Sequence, residues 1–227
     1  MKFLFLLFCI CLSSISFSQM GTISLTNPSF EDEPHKGGVM NGIRNWYSCG
    51  IIEFPAETPP DIHPMYIWGV NYDAFEGKTY LGLVVRDNES WESVSQRLNL
   101  AGKNKTPLEA GNCYNMSMAV AQSDKYLSGS QLMLKTKGDK SQTYNYDTPV
   151  IVRIWGGRSY CDKKELLATS EPVSNSDWET IILEFTPKVD CKFISIEAYY
   201  DTPLLTPYNG HVLIDNLSDI IQVACKD

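Results

Sequence analysis

The stretch Trp178-Glu179-Thr180-Ile181-Ile182-Leu183-Glu184-Phe185 decides the fold class. It is short and rich in β-branched and aromatic side chains. Ile181, Leu183 and Phe185 share one side at a period of two, though Glu179, in the same phase, keeps the alternation from being strict. Working outward, the same character recurs in "TYLGLVV" (79–85), "SVSQRL" (93–98), "CYNMSMAVA" (113–121), "VIVRIWG" (150–156), "KFISIEAYY" (192–200) and "HVLIDNL" (211–217). Turn chemistry separates these runs at Glu109-Ala110-Gly111-Asn112, Gly156-Gly157, Asn175-Ser176-Asp177 and Tyr208-Asn209-Gly210. No stretch keeps a helical apolar period for three turns. The pattern predicts an all-β chain, an antiparallel β-sandwich or jelly roll.

Upstream, "MKFLFLLFCICLSSISFS" has one early lysine, an apolar run over Phe3 to Leu12, and Ser16 and Ser18 at cleavage-site spacing. Residues 1–18 read as a secretory signal peptide. The run is too short for a membrane span, which takes roughly twenty apolar residues. No later segment is apolar enough either. Residues 19–227 then suit a single domain, exported to the periplasm, the outer membrane or the cell surface. The formal charge of −8 argues against nucleic-acid or anionic-membrane binding, which wants a basic face. Cys49, Cys113, Cys161, Cys191 and Cys225 follow the leader, so one or two disulfides with a leftover thiol fit an oxidising compartment. The pairing stays open.

Two stretches depart from compact strand-and-turn logic. Residues 50–75 carry four prolines and several aromatics, and residues 122–149 are long, polar and tyrosine-bearing. Such loops in compact domains often carry function. Trp68 and Tyr72 in the first, and Tyr126, Tyr144 and Tyr146 in the second, are expected to be exposed. Trp68, Tyr72 and Tyr126 are the candidate ligand contacts, since sugars stack their C–H faces on aromatic rings. No catalytic motif appears. His35, His63 and His211 lack companions at ligand spacing, and His63, in "PPDIHP", reads as a solvated loop residue near Asp61. Any glycosidase pair could be nominated from 27 acidic residues, so the chain is read as not an enzyme.

For metals, Asn71, Asp73 and Glu76 precede Gly77 in "NYDAFEGKTY" and supply oxygens, without the spacing of an EF-hand. Glu31 in "NPSFED" (27–32) and Asp215 in "VLIDNL" (212–217) are further candidates. Asp215 interrupts an apolar strand, so it either faces solvent or is buried with a cation or hydrogen-bond donors.

The blocks "LTNPSFED", "NWYSCG", "EGKTYLGLVVRDNESWESVSQRL", "LEAGNCYNMSMAVAQSD", "RIWGGRSYCDKKELLATSEPVSNSDWETIILEFTPK", "ISIEAYYDTP" and "YNGHVLIDNLSDI" occur in this order. With them the chain resembles secreted proteins of Bacteroidetes built on a galactose-binding-like jelly roll, the fold of many carbohydrate-binding modules. The likeness runs from about residue 23 to 221. It implies a structural calcium held by Glu31 and Asp215, with the Ser29 carbonyl nearby and Glu76 a weaker candidate. Asp32 is then a bystander. Relatives often carry an OmpA-type domain, which the sequence ending at Asp227 leaves out, so a bare binding module is expected. Its partner would be a glycan or, alternatively, an outer-membrane secretion or gliding complex that it serves as a structural subunit.

Overall fold

Each of the seven apolar runs forms a strand. The computed structural model describes residues 21–38, 41–50, 57–64, 66–98, 107–129, 143–201 and 206–226, so the leader read at 1–18 lies outside the described residues. In chain order the strands are β1 (Thr22–Ile23), β2 (Tyr47–Ser48), β3 (Glu57–Thr58), β4 (Asp61–His63), β5 (Tyr80–Arg86), β6 (Ser90–Arg97) and β7 (Cys113–Ala121). They continue with β8 (Leu127–Gly129), β9 (Thr143–Asn145), β10 (Val150–Gly157) and β11 (Glu165–Thr169). The last four are β12 (Glu179–Phe185), β13 (Phe193–Tyr200), β14 (Gly210–Asp215) and β15 (Ile220–Val223). Among the described residues the sole helical turn is a 3-10 turn at Tyr66–Trp68.

Pairing follows the path β1-β15-β7-β14-β5-β6-β13-β10-β11. Every pair is antiparallel except the short contact of β3 with β6. Strand β12 runs along β7 from Tyr114 to Val120, so β14 and β15 share the opposite edge of β7, at Ala119–Ala121 and Cys113–Asn115. The path doubles back at the β5–β6 hairpin. One layer (β4, β5, β14, β7, β12) thereby lies over the other (β2, β6, β13, β10, β11), an antiparallel β-sandwich of jelly-roll type. Leu81, Leu83, Val85, Met116, Met118, Val212 and Ile214 face Val94, Val152, Ile154, Ile194, Ile196 and Ala198 in one buried cluster.

The first layer is covered on its outer side as well. Tyr80, Val84 and Leu213, which alternate with the core residues of β5 and β14, pack with Val70, Tyr126 and Tyr146 in a second buried cluster. Burial on both faces is why these two strands read as nearly unbroken apolar runs. It also corrects three sequence expectations. Tyr126 and Tyr146 are buried, at 2% and 0% exposure. His63 is a fully buried member of β4, close to Tyr80 and Tyr126 rings at 5.8 and 5.5 Å. Gly156 and Gly157 are the last two residues of β10, where a Cβ at Gly156 would come within 2.5 Å of Cys191 Sγ and one at Gly157 within 2.0 Å of Asp162 O. Close packing, and not turn formation, demands those glycines.

A buried ion pair stands where the layers join. Glu92 Oε1 accepts from Arg86 Nη2 at 2.7 Å and from Thr58 Oγ1 at 3.1 Å, while Oε2 accepts from Val84 N at 3.1 Å. The Glu92 side chain is 1% exposed. Tyr200 Oη donates to the Arg86 carbonyl at 2.5 Å, tying β13 to the same corner.

Removing one partner of a buried pair strands the other charge, at a cost of about 3–5 kcal/mol. Glu92→Ala is therefore expected to lower the urea midpoint strongly. The double variant Arg86→Met/Glu92→Leu should lose much less, measured on the same unfolding curve. A second expectation concerns acid. Burial lowers both His63 and His211 to about 4. Since these folded values lie below the ordinary 6.5, the stabilisation is complete above pH 6.5 and is lost as pH falls towards 4. The thermal midpoint should drop across that window, and NMR titration should find both imidazoles neutral at pH 5; a midpoint near 6.5 for either would overturn the assignment.

Candidate ligand-binding site

The three residues expected to contact ligand do come together, but as a lid over the first layer. Tyr126 Oη donates to Asp61 Oδ2, and Gly37 N donates to Asp61 Oδ1 at 2.7 Å. Trp68 is half-buried and stacks on Tyr126 with centroids 6.3 Å apart, while the Lys36 ammonium lies 4.4 Å from its ring centre. Tyr72 Oη donates to the Ser176 carbonyl, and Tyr80 Oη donates to the Tyr72 carbonyl at 2.9 Å. Trp178 Nε1 closes the arrangement on the Asp73 carbonyl at 2.9 Å. The polarity of the two irregular stretches pointed outward, yet Trp68, Tyr72, Tyr126 and Tyr146 turn inward because they supply the apolar cover that β5 and β14 need, while Tyr66 and Phe75 stay exposed.

The residues nominated for calcium also meet. Ser29 Oγ donates to Glu76 Oε2 at 2.8 Å. Glu31 Oε1 accepts from Lys78 N at 2.8 Å and Thr79 N at 3.2 Å. Asp215 is fully buried and accepts from Glu76 N at 2.9 Å and Asn216 N at 2.7 Å. Burial pushes the Asp215 carboxyl up to about 6; amide hydrogen bonds oppose this and the nearby Glu31 adds to it. Among the described residues no Lys, Arg or His pairs with Glu31, Glu76 or Asp215. The donors are all oxygens and their charge is uncompensated, which suits a hard cation. Among the described residues, however, no three acidic, His or Cys side chains form a metal-holding group. An ion here would use one or two carboxylates and backbone carbonyls. Asp32 stands apart, its Oδ2 accepting from Arg44 N at 2.6 Å.

The outer face of the second layer was not singled out by sequence. In β6 the core residues alternate with Ser93, Ser95 and Arg97. Cross-strand register sets Tyr47 beside Ser95, Ser95 beside Ser195, and Ser195 beside Trp155. The next rows place Ser93, Glu197 and Arg153 together, and Arg97 with Phe193 and Gly157. Lys163 lies between Glu57 and Glu197. Trp91 Nε1 donates to Glu57 Oε1 at 3.0 Å and Trp155 Nε1 to Glu197 Oε2 at 2.6 Å. Both carboxylates are thus engaged by fixed donors.

At the end of this face, two tyrosines stand in solvent. Tyr47 and Tyr160 are 55% and 48% exposed, and their rings stack with centroids 5.0 Å apart and planes 28° apart. Phe193 buttresses Tyr160 edge-on at 4.7 Å. The Cys49–Cys161 disulfide fastens the two segments immediately beyond the rings. A groove of about 390 Å³ runs beside them, lined by Thr26, Asn45, Gln96 and Arg97. Its floor is stiff: Gln96 Nε2 donates to the Thr26 and Asn45 carbonyls at 2.7 and 3.0 Å, and its Oε1 accepts from Thr26 N at 2.8 Å. One signal in the sequence could have found this platform. Tyr47 stands two residues before Cys49 and Tyr160 one before Cys161, so a disulfide between those cysteines brings the rings together.

No protein-family model matches the chain, and no curated protein matches it in sequence. Among solved structures, it is similar to the CBM22-1 xylan-binding domain of Paenibacillus barcinonensis Xyn10C, at 14% identity over 90% of this chain and 96% of that one, with a TM-score of 0.45. The K1 cleaved adhesin domain of Lys-gingipain from Porphyromonas gingivalis W83 aligns at 9% identity over 87% and 96%, with a TM-score of 0.43. The C-terminal family 22 carbohydrate-binding module of Clostridium thermocellum Xyn10B aligns at 13% identity over 87% and 94%, with a TM-score of 0.39.

Proposed function

We propose that this chain is an exported, non-catalytic glycan-binding module that holds its ligand on the Tyr47–Tyr160 platform. The observation that carries the reading is the pair of exposed, stacked rings clamped by a disulfide beside a polar groove. An aromatic surface left in water costs free energy unless something covers it, and a sugar offers both C–H faces for the rings and hydroxyls for Asn45 and Thr26. Glu57 and Glu197, the carboxylates on the same face, already accept from Lys163 and two indoles, which supports binding without hydrolysis. Export is supported by the two disulfides, Cys49–Cys161 and Cys113–Cys225; Cys191 is the buried, unpaired fifth cysteine.

In affinity electrophoresis against a panel of plant and envelope polysaccharides, Tyr47→Ala/Tyr160→Ala is expected to lose binding by at least about tenfold, or ~1.4 kcal/mol. Its thermal midpoint should stay near wild type, since both rings are exposed. Trp68→Ala should leave retention on the gel unchanged. Loss of binding in the Trp68 variant alone would move the site to the lid. No binding to any glycan, with envelope proteins recovered in stoichiometric amounts from a pull-down, would favour the complex-subunit alternative.

Calcium at Glu31 and Asp215, with Ser29 and Glu76 beside them, is the second part of the proposal. It is supported by the buried carboxylate of Asp215 and by the absence of a cationic partner among the described residues. Calcium at about a hundred times its dissociation constant would stabilise the fold by roughly 2.7 kcal/mol. For a chain this size that raises the melting temperature by about 5–10 °C over chelator-treated protein. Asp215→Asn should abolish the calcium-dependent rise whatever its own midpoint. An identical midpoint with and without chelator in the wild type would overturn the assignment.

A further inference from the structure

We infer that the groove beside Tyr47 and Tyr160 takes an acidic sugar, a uronic acid unit whose carboxylate pairs with Arg97. The inference rests on the glycan-binding reading above and gives it a substrate class. Arg97 is the last residue of β6 and is exposed. It lies across the strand from Phe193, the ring that buttresses Tyr160, and it lines the same groove as both tyrosines. Among the described residues it has no ion-pair partner.

That isolation distinguishes it from the other cations of this face. Lys163 is held between Glu57 and Glu197, and Arg153 stacks its guanidinium 3.6 Å from the Tyr199 ring centre. In a chain of formal charge −8, with 27 acidic residues against 19 basic, an uncommitted guanidinium in a groove is the feature to explain. A guanidinium presents a planar fork of donors that matches a carboxylate in bidentate fashion. A uronic acid joins that carboxylate directly to a ring whose C–H face can lie on a tyrosine. The two demands, an aromatic platform and one cation at its side, are met by a single pyranose bearing a carboxylate. Neutral sugars would use the platform and leave Arg97 solvated.

The test uses the whole mature protein with oligogalacturonate and oligoalginate, each beside its fully methyl-esterified form, and a xylo-oligosaccharide, all by isothermal titration calorimetry. Esterification keeps the sugar ring and removes the charge. At least one charged oligomer is expected to bind about tenfold or more tighter than its ester, with the ratio shrinking as salt rises. Arg97→Gln should bring that ratio to near one, and Arg97→Lys should restore part of it, with melting temperatures checking that both variants fold. Equal affinity for acid and ester, or a preference that survives Arg97→Gln, overturns the inference while the glycan reading stands. Failure of every oligomer to bind, neutral ones included, overturns both.

Discussion

The carboxylate of Glu92, held by Arg86, Thr58 and the Val84 amide, is the constraint on which the two layers depend. Strands β5 and β6 belong to different layers but are joined by a hairpin, so the chain must turn its hydrogen-bonding path through the corner between them. The polar groups freed at that corner are out of water, and a charge there is tolerated only if every lone pair finds a donor. Arg86, Thr58 and the Val84 amide supply three such donors, and both oxygens of Glu92 are engaged. Tyr200 then brings β13 onto the Arg86 and Ser90 carbonyls at 2.5 and 3.2 Å, which continues the second layer from the corner.

From this geometry follows an asymmetry between the two outer faces. The first layer is buried twice, once by the sandwich core and once by the cluster around Tyr80, Tyr126 and Tyr146. Its outer face holds His211 and Asp61, whose polar atoms are spent internally: His211 Nε2 accepts from Ser123 N at 2.9 Å, and Asp61 accepts from Tyr126. His63 is buried beside them, with neither ring nitrogen hydrogen-bonded among the described residues. The second layer is covered on its outer side by polar and aromatic groups instead, with Ser93, Ser95, Ser195 and Glu197 buried beneath them. Its outer face stays polar and aromatic, and its edge ends in the two exposed tyrosines. Ligand chemistry is therefore proposed there, opposite the side that loop polarity pointed to.

Rigidity supports the same placement. Binding costs are lowest when the contacting groups are already ordered. Tyr47 and Tyr160 come from segments far apart in the chain, and the Cys49–Cys161 bond keeps them adjacent while Gln96 pins the groove floor to Thr26 and Asn45. Arg97, the cation of this groove, is left without an ion-pair partner among the described residues.

How much of this was legible depended on the range of the interactions involved. The β class, the seven long strands and the odd cysteine could be read from local pattern, because period-two alternation and turn residues report only on near neighbours in the chain. Strand β11, with its partly exposed Glu165–Thr169, and the four-residue β15 carry too weak a pattern to be read that way. The meeting of Glu31, Ser29, Glu76 and Asp215 came from a resemblance, since nothing local relates residues at opposite ends of the chain. Burial of Tyr126, Tyr146 and His63 could not be seen, because a polar loop and a lid have the same composition until something apolar lies beneath it. The stacking of Tyr47 on Tyr160 required the disulfide partner of Cys49 to be known. By itself the sequence determined which segments extend and which faces are apolar. Only the tertiary structure decided which aromatic rings are covered and which meet in water, because that choice is made by contacts between residues distant in the chain.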